Sequence, residues 1–379
     1  MQTIKAKKSL GQNFLIDQEA LADIANSIEI QGNHIIEVWP GYGALTEYII
    51  ASEPTSLDLV ELDTDMIKIL NSRFKIQNRW QEEWSGGSGG ETVWAKKITT
   101  SRWAERGGAS FLPPEPFVTE GEFEWNEKRG SPGGFGHEST EEEATITLHH
   151  KDILTFTPSY DDYSVIANIP YYITSPILFY FLYPKNTWWN SVQNGESEGA
   201  TLSERKWKQW SDERQQSESE FVDPSGAFGT FQSWKVQSFY PPLEMTIMMQ
   251  EEVGEKILEG RARKPHHSYL SLAMELACDD IEIVRYVGKE SFDPAPKVDS
   301  IVLKFTIKHD RNRDREESLL ALWRIAFTHP RKTLLSNLRW SHYDIDSIKR
   351  WLVECGYDEK VRAEAVKIED WEKIFETFT

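Results

Sequence analysis

Cysteine is nearly absent from this chain of 379 residues, and its two copies, Cys278 and Cys355, cannot build a disulfide framework. No Cys-x-x-Cys pair and no cysteine–histidine cluster has the spacing of a zinc site, so no metal site is predicted. No apolar run is long enough to cross a membrane, and the N-terminal MQTIKAKKSLGQNF lacks the apolar core of a signal peptide. We therefore expect a cytoplasmic monomer that does not associate with membranes.

Positive charge is also scarce, since the formal net charge is -19 at pH 7. Such an acidic chain is not expected to coat nucleic acid without specificity, although local basic patches remain compatible with it. Hydrophobic residues make up 39% of the sequence, which is enough for a substantial core. The length exceeds what one compact core usually holds, so two domains or one domain with large insertions are expected.

Short apolar runs alternate with helical patterns through much of the chain. The runs that read as buried parallel strands are HIIEV (34–38), SLDLVEL (56–62), TITLHH (145–150), YSVIANI (163–169) and LEMTIMM (243–249). Helical patterns cover 16–30, ALTEYIIAS and DMIKILNSRF, whereas VDSIVLKFTI (298–307) reads as an antiparallel strand. This alternation predicts an α/β fold with a doubly wound, Rossmann-like parallel sheet. From about residue 316 the pattern is helical throughout, which predicts a small C-terminal α-helical domain.

Two segments, at about 77–147 and 185–240, interrupt this alternation. Both contain many tryptophans without a sustained period, and the first contains SGGSGG (85–90), which resembles an engineered linker. We interpret both as insertions into a domain spanning 1–307, which is followed by a helical domain at 308–379. The insertions either bind another protein or decorate the surface without a part in the chemistry.

Glycines and carboxylates stand at the ends of the predicted strands. EVWPGYGALT (37–46) carries Gly41 and Gly43 in a turn between a strand and a helix, as in nucleotide-binding loops. Glu61 ends the second strand, where a carboxylate can accept hydrogen bonds from ribose hydroxyls. Asp152 ends the third strand, where a carboxylate can accept from an exocyclic amine of adenine. Because these ends meet at one edge of a parallel sheet, they predict a nucleotide site there.

A second interpretation applies to the aspartates after Glu61. Asp63 or Asp65, in VELDTD, can cap the helix DMIKIL instead of contacting a ligand. The two interpretations are compatible, since one carboxylate can bind ribose while another caps the helix.

NIPYYITSP (168–176) follows the fourth strand and is the most informative stretch. Asn168 and a backbone carbonyl beside Pro170 can accept both N–H bonds of an exocyclic amine, and the ring of Tyr171 can stack on the base. Such an amine can attack an electrophilic methyl group without a strong general base. The alternative is a simple strand-to-turn junction in which Pro170 only breaks the strand.

With these motifs the chain resembles the S-adenosylmethionine-dependent rRNA adenine N6,N6-dimethyltransferases of the small ribosomal subunit. The resemblance covers residues 5–76, 144–184 and 241–379. It implies a Rossmann-like methyltransferase domain, S-adenosylmethionine as cofactor, and small-subunit rRNA or the immature small subunit as substrate. Keeping the fold and the RNA face without activity is a further possibility that the resemblance leaves open.

The resemblance also implies roles for individual residues. KKSLGQNFLID (7–17) is similar to a cofactor-contacting signature, which implies cofactor contacts for Asn13 and Leu15. EVWPGYGALT, VELD, KDIL and NIPYYITSP are similar to the family's cofactor loop, ribose acid, adenine-contacting Asp and catalytic motif, so Asn168 is implied in cofactor binding as well as catalysis. FDPAPKVDSIVLKF (292–305) implies that Phe292 sandwiches the target adenine opposite Tyr171.

Basic residues outside these motifs suggest where RNA phosphates are bound. FTHPRKTLLSNL (327–338) resembles the part of the family's helical domain that contacts rRNA. The scattered basic residues that we assign to a phosphate-contacting face are Lys5, Lys7, Lys8, Arg261, Arg263, Lys264, Arg324, Arg331, Lys332 and Arg339.

Trp39 departs from the family pattern, which has a glycine at this cofactor-contacting position. If the indole points into the cleft, it obstructs the cofactor; if it turns outward, binding survives. Packing of Trp39 into the core is the outcome least expected from its place beside Pro40. The function alternatives are therefore an active dimethyltransferase, an impaired relative serving as a ribosome-assembly, RNA-binding or engineered scaffold protein, and an enzyme with another adenine acceptor.

Overall fold

The structure is a computed structural model that describes residues 12–76, 92–99, 143–184, 239–260, 266–339, 341 and 344–378. Most of both predicted insertions lies outside these residues, as do Lys5, Lys7, Lys8, Arg261, Arg263 and Lys264. Across the described ranges, no helix is long and apolar enough to cross a membrane.

The strands begin and end close to the apolar runs of the sequence. They are β1 (Phe14–Leu15), β2 (His34–Val38), β3 (Ser56–Glu61), β4 (Thr92–Thr99), β5 (Glu143–His150), β6 (Ser164–Asn168), β7 (Glu244–Gln250), β8 (Cys278–Val287), β9 (Phe292–Asp293) and β10 (Ser300–Ile307). The helices are α1 (Gln18–Ala25), α2 (Ala44–Ala51), α3 (Thr64–Phe74), α4 (Thr174–Leu182), α5 (Glu251–Glu259), α6 (Tyr269–Ala277), α7 (Arg313–Ala326), α8 (Leu334–Leu338), α9 (Ile345–Glu354) and α10 (Ile368–Phe378).

Eight of the strands form one sheet in the order β4-β5-β3-β2-β6-β7-β10-β8. Strands β5, β3, β2, β6 and β7 run parallel, and β10 is antiparallel to both β7 and β8. The predicted α/β class and the antiparallel strand at 298–307 are therefore confirmed. The order reverses between β2 and β6, so the chain leaves a crevice at the carboxyl ends of these two strands, where open α/β sheets bind ligands.

The core lies on both faces of this sheet. Alternate residues of β2 point to opposite sides: Ile35 belongs to a buried cluster that includes residues of α1, α2 and α3, and Ile36 belongs to a second cluster that includes residues of α4, α6 and the C-terminal helices. Both side chains are completely buried, which explains why these central strands read as continuous apolar runs.

Four strands were not predicted: the short β1 and β9, which form a separate two-stranded sheet, and β4 and β8 of the large sheet. Strand β4 lies inside the first predicted insertion and pairs antiparallel with β5, which itself begins at Glu143 rather than at Thr145. Strand β8 is an edge strand in which Cys278, Ile281 and Val287 are the buried residues, so it has no apolar run. Helix α1 is also shorter than the predicted 16–30, since it spans eight residues.

The C-terminal helices α7 to α10 pack around three tryptophans, Trp323, Trp351 and Trp371. These tryptophans belong to the same buried cluster as Ile36 of the sheet. Arg311, just before α7, donates to Glu316 in the first turn of this helix and to the carbonyl of Leu182 at the end of α4. The division of the chain at residue 307 stays a prediction.

Candidate functional site at the carboxyl edge of the sheet

The turn between β2 and α2 has a backbone that favours glycine. Gly41 has φ +56° and Gly43 has φ +81°, both in the left-handed region. A Cβ on Gly43 would lie 2.6 Å from the ring of Phe74, and one on Gly41 would lie 3.0 Å from the ring of Phe14. The backbone favours glycine at both positions, and the space is most restricted at Gly43. Gly43 is also the N-cap of α2, and because glycine has no side chain, it cannot satisfy the first N–H groups of that helix.

Trp39 also has a left-handed backbone, with φ +54°. An ordinary side chain pays about 1–2 kcal/mol for this conformation, and a glycine avoids that cost. Its N–H donates to the carbonyl of Val60, and its indole is half-buried against the core cluster that contains Val38. The expectation that Trp39 does not pack on the core is therefore wrong. Because the left-handed backbone breaks the alternation of the strand, the side chain turns to the face of Val38.

Glu61 stands at the end of β3 beside this turn and is buried. Its Oε1 accepts from the backbone N–H groups of Leu62 and Asp63 at 2.7 and 2.8 Å. Its Oε2 lies 3.4 Å from the N–H of Gly41, a long contact that leaves this oxygen able to accept from a ligand hydroxyl. Burial raises the pKa of Glu61 to about 7, although the backbone bonds act against this shift.

Asp63 caps α3, as one of the two interpretations of VELDTD expected. Its Oδ1 accepts from the N–H of Asp65, and its Oδ2 accepts from the side chain of Gln12 at 2.8 Å. This second bond ties the N-terminal segment to the edge of the sheet. Sequence reasoning did not identify Gln12, and no pattern in the sequence relates it to Asp63.

Glu37 lies beneath the turn and was also not identified. Its side chain is 1% exposed, and the hydroxyl of Thr46 on α2 donates to its Oε2 at 2.6 Å. Burial, together with the nearby charge of Glu61, raises the pKa of Glu37 to about 8, against the bond from Thr46. The carboxyl of Glu37 is therefore protonated at neutral pH, next to Glu61, the residue predicted to bind the ribose.

Asp152 follows β5 and begins a short 3-10 turn at Ile153–Thr155. Its Oδ1 accepts from the N–H of Leu154 at 3.0 Å, which holds the carboxylate at the edge of the sheet. Since β5 lies beside β3, Asp152 is placed one strand beyond Glu61.

The N-terminal signature reaches the site through a small second sheet. β1 pairs with β9, so that Leu15 lies opposite Phe292 and Phe14 lies opposite Asp293. Asn13 directly precedes this pairing. The ring of Phe14 lies 4.0 Å from that of Tyr42 in the glycine turn, so the segment packs on the predicted cofactor loop.

The catalytic motif occupies the end of β6, the neighbour of β2. Asn168 is the last residue of β6, and among the described residues none hydrogen-bonds its side-chain amide. The carbonyl of Pro170 accepts from the N–H of Ile173 in a 3-10 turn over Tyr171–Ile173. The hydroxyl of Tyr171 lies 2.7 Å from Oγ of Ser300.

Tyr171 and Phe292 do not form a ring contact in the part of the chain that is described. Tyr171 is half-buried, whereas Phe292 is 4% exposed and offers little free surface in this conformation. Their sandwich around a target base stays a prediction.

Arg73 is a further residue that the sequence did not reveal. From the last turn of α3, it donates to the carbonyl of Tyr42 at 2.7 Å and to Oε1 of Glu47 on α2. Arg73 thereby holds the glycine turn and helix α2 against α3.

These residues fit a cofactor composed of an adenosine and a charged amino-acid part. Glu61 retains a weakly engaged oxygen, Gly41 and Gly43 allow close approach of the backbone, and Asp152 stands one strand away. The indole of Trp39 packs against the core, and no described contact of this side chain is with Gly41 or Gly43 of the turn.

An exposed basic loop connects α7 and α8. His329, Arg331 and Lys332 are exposed there, and the side chain of Asn337 fixes the loop by donating to the carbonyls of Ala326 and His329. Arg339 is exposed at the end of α8.

Comparison with known proteins relates these features to a family. A family model described as ribosomal RNA adenine dimethylase matches residues 3–81 and 135–379. The gap between the two ranges falls within the first predicted insertion, whereas the second predicted insertion lies within the match.

Two curated relatives are similar over nearly the whole chain. The ribosomal RNA small subunit methyltransferase A of Mycoplasmopsis pulmonis is 26% identical over 374 residues, which cover 98% of this chain and 98% of the relative. The protein of the same name from Clostridium botulinum strain Loch Maree is 26% identical over 380 residues, with coverages of 98% and 93%.

Two solved structures share the fold. The 23S rRNA methyltransferase ErmE has a TM-score of 0.53 at 16% identity and covers 97% of this chain and 99% of its own. A dimethyladenosine transferase from Plasmodium falciparum has a TM-score of 0.52 at 17% identity, with both coverages at 95%. The family model matches most of the chain, and the chain therefore belongs to the ribosomal RNA adenine dimethylase family.

Proposed function

We propose that this protein is an S-adenosylmethionine-dependent enzyme that transfers two successive methyl groups to N6 of adenosines in small-subunit rRNA during ribosome maturation. The observation that carries the proposal is that Gly41, Glu61 and Asn168 stand at the carboxyl ends of three adjacent strands: Gly41 lies in the turn after β2, Glu61 ends β3 and Asn168 ends β6. The cofactor loop and the proposed acceptor amide therefore share one crevice.

S-Adenosylmethionine is the methyl donor of this family, and when bound it supplies an electrophilic methyl group on a positively charged sulfur. Asn13, Leu15, Trp39, Gly41, Gly43, Glu61, Asp152 and Asn168 are the proposed cofactor-binding residues. Glu61 is placed to accept from ribose hydroxyls, and Asp152 to accept from the adenine amine.

Asn168, Pro170, Tyr171 and Phe292 are the proposed catalytic residues. The side-chain oxygen of Asn168 accepts one N–H bond of the target amine, and a backbone carbonyl next to Pro170 accepts the other. These two bonds direct the lone pair of the nitrogen toward the methyl group, and this orientation of the reacting atoms accelerates the transfer. The nitrogen releases a proton after it is alkylated, so no strongly basic side chain is needed.

The substrate is assigned from chemistry and from the relatives. An adenine inside a helix cannot reach this pocket, so the enzyme acts on folded RNA that presents an unpaired adenosine. The curated relatives are named for the small subunit, and we propose the immature small ribosomal subunit in the cytoplasm as the partner. The exposed loop with Arg331 and Lys332 supports phosphate contacts on the same molecule.

Transfer of labelled methyl groups to immature small subunits tests this function. The unchanged protein is expected to methylate them, and Asn168→Ala to lose about a hundredfold or more of the rate, because one positioned polar contact commonly contributes that much. Asn33→Ala is the matched control, since Asn33 precedes the opposite end of β2 and its amide binds only backbone carbonyls.

Failure of the unchanged protein, under conditions in which a close relative methylates the subunits, would refute the proposed function. Equal rates for Asn168→Ala and Asn33→Ala would refute the role of Asn168 alone.

A further inference from the structure

The hydrogen bond between Tyr171 and Ser300 connects the catalytic motif to a distant part of the sheet. The two oxygens are 2.7 Å apart, and the residues are 129 positions apart in the sequence. Tyr171 follows β6, whereas Ser300 is the first residue of β10, two strands away across β7. The bond thus connects the carboxyl end of β6, where the catalytic motif lies, to the start of β10.

Ser300 is a rigid anchor for this bond. It is completely buried, and its backbone is paired with Gln250 of β7 on one side and with Val287 of β8 on the other. A hydroxyl that starts the central one of three paired strands has little freedom to move.

Tyr171, in contrast, has no ring contact among the described residues, and there its hydroxyl is bonded to Ser300 alone. Its turn is three residues long and has no side-chain cap, and its carbonyl accepts from the hydroxyl of Thr174 at 3.2 Å. The χ2 torsion of a tyrosine is broad, so backbone contacts alone do not fix the plane of the ring. The bond to Ser300 is the contact that fixes the hydroxyl end.

The segment that leads into Ser300 also carries Phe292, which lies on the other side of the proposed adenine slot from Tyr171. Phe292 is held through the pairing of β9 with β1, opposite Leu15, and the exposed residues 293–295 and 297–299 lie between it and Ser300. One stretch of chain therefore anchors Phe292 at one end and Tyr171 at the other.

We propose that Ser300 is a positioning residue, which holds the ring of Tyr171 through their hydrogen bond in the orientation that receives the target adenine beside Asn168. Ser300 does not touch the substrate. This inference rests on the proposed function, because it concerns the same reaction.

The test uses Ser300→Ala and Tyr171→Phe, which remove the same bond from its two ends. Each is expected to lower kcat for methylation of immature small subunits by about tenfold to a hundredfold, the cost of a slightly misplaced reacting group. KM for the subunit and the calorimetric Kd for S-adenosylmethionine are expected to stay unchanged. The double variant is expected to lose no more than either single variant, because only one bond is broken.

Ser56→Ala is the matched control. Ser56 is a buried strand serine whose Oγ lies 2.7 Å from Nδ1 of His34, at the opposite end of the sheet. It is expected to lose similar stability without a change in kcat. If Ser300→Ala does not fold, Tyr171→Phe carries the kinetic test alone.

A second readout does not depend on activity. The ¹³Cζ resonance of Tyr171, assigned by its loss in Tyr171→Phe, is expected to shift in Ser300→Ala and to stay in place in Ser56→Ala. An unshifted resonance would overturn the inference even if the unchanged protein proved inactive. With an active protein, additive losses in the double variant, or a kcat within twofold of the control, would overturn it as well.

Discussion

At the residue level, Glu37 is a buried carboxyl next to the candidate site, and its pKa is raised. It lies under the glycine turn, with the hydroxyl of Thr46 on one oxygen and the carboxylate of Glu61 nearby. Because the pKa of Glu37 is raised to about 8, the folded protein holds a proton that the unfolded chain would release near pH 4.5. The stabilisation by this proton is complete below pH 4.5 and is lost as the pH rises through 8.

Glu37→Gln tests this pH dependence. The amide can still accept from Thr46, but it does not ionise, so the variant is expected to gain in unfolding free energy relative to the unchanged protein from pH 5 to pH 8.5. The difference at pH 8.5 should be on the order of a few kcal/mol. Urea unfolding at a series of pH values measures it.

Glu29→Gln, at an exposed carboxylate, is the control for Glu37→Gln and should show no such trend. A difference between Glu37→Gln and the unchanged protein that does not vary with pH would contradict the account.

Much of the candidate site could be predicted at this scale, because strand ends of a parallel sheet meet at one edge. Gly41, Glu61 and Asp152 were assigned from that rule, and the structure places them there. The side-chain direction of Trp39 could not be predicted, because the left-handed backbone cancels the alternation on which such predictions rest. The Tyr171–Ser300 bond depends on a tertiary contact that no local pattern encodes.

At the scale of elements, burial on both faces explains which strands the sequence revealed. β2, β3 and β6 are buried on both sides and appear as apolar runs. β4 and β8 form the two edges of the sheet, where polar residues are tolerated, and neither was predicted. In β4, the sequence TVWAKKIT has β-branched residues at both ends and one tryptophan, a signal that the two adjacent lysines interrupt.

Arg311 and Glu316 join the end of helix α4 to helix α7. Their side chains are 4% and 7% exposed, and the guanidinium also donates to the carbonyl of Leu182 and stacks over the ring of Tyr183. Arg311→Ala is expected to lower the unfolding free energy by about 3–5 kcal/mol, because it leaves the charge of Glu316 buried without its partner. Equilibrium unfolding in urea measures the loss.

Two variants separate this effect from simple loss of an arginine. Arg315→Ala removes a partly exposed arginine 3.9 Å from Glu372 and should cost less than about 1 kcal/mol. The double change Arg311→Met with Glu316→Leu should recover most of the stability, since apolar side chains can replace a buried ion pair. Equal losses of unfolding free energy in Arg311→Ala and Arg315→Ala would show that the buried ion pair does not stabilise the packing of these helices.

At the scale of the whole molecule, an acidic chain carries a small basic surface on its helical end. Arg331 and Lys332 are exposed there, whereas the net charge of the chain is -19. Such an arrangement favours contact with RNA at one face over non-specific coating. The alternation of strand and helix patterns predicted the α/β domain, and the basic residues together with the resemblance to a family predicted this surface. The sequence could not predict what the two segments interpreted as insertions bind, because their composition has no periodic pattern.

Trp39 stands where the resemblance to the family implies a glycine, and we expect the site to bind S-adenosylmethionine nevertheless. Calorimetric titration with S-adenosylmethionine, on the unchanged protein and on Trp39→Gly, tests it most directly. Because the indole packs on the core, we expect saturable one-site binding by both, with Kd values within about fivefold, or roughly 1 kcal/mol, of each other. No binding by the unchanged protein, together with saturable binding by Trp39→Gly, would contradict the account and favour a non-enzymatic relative.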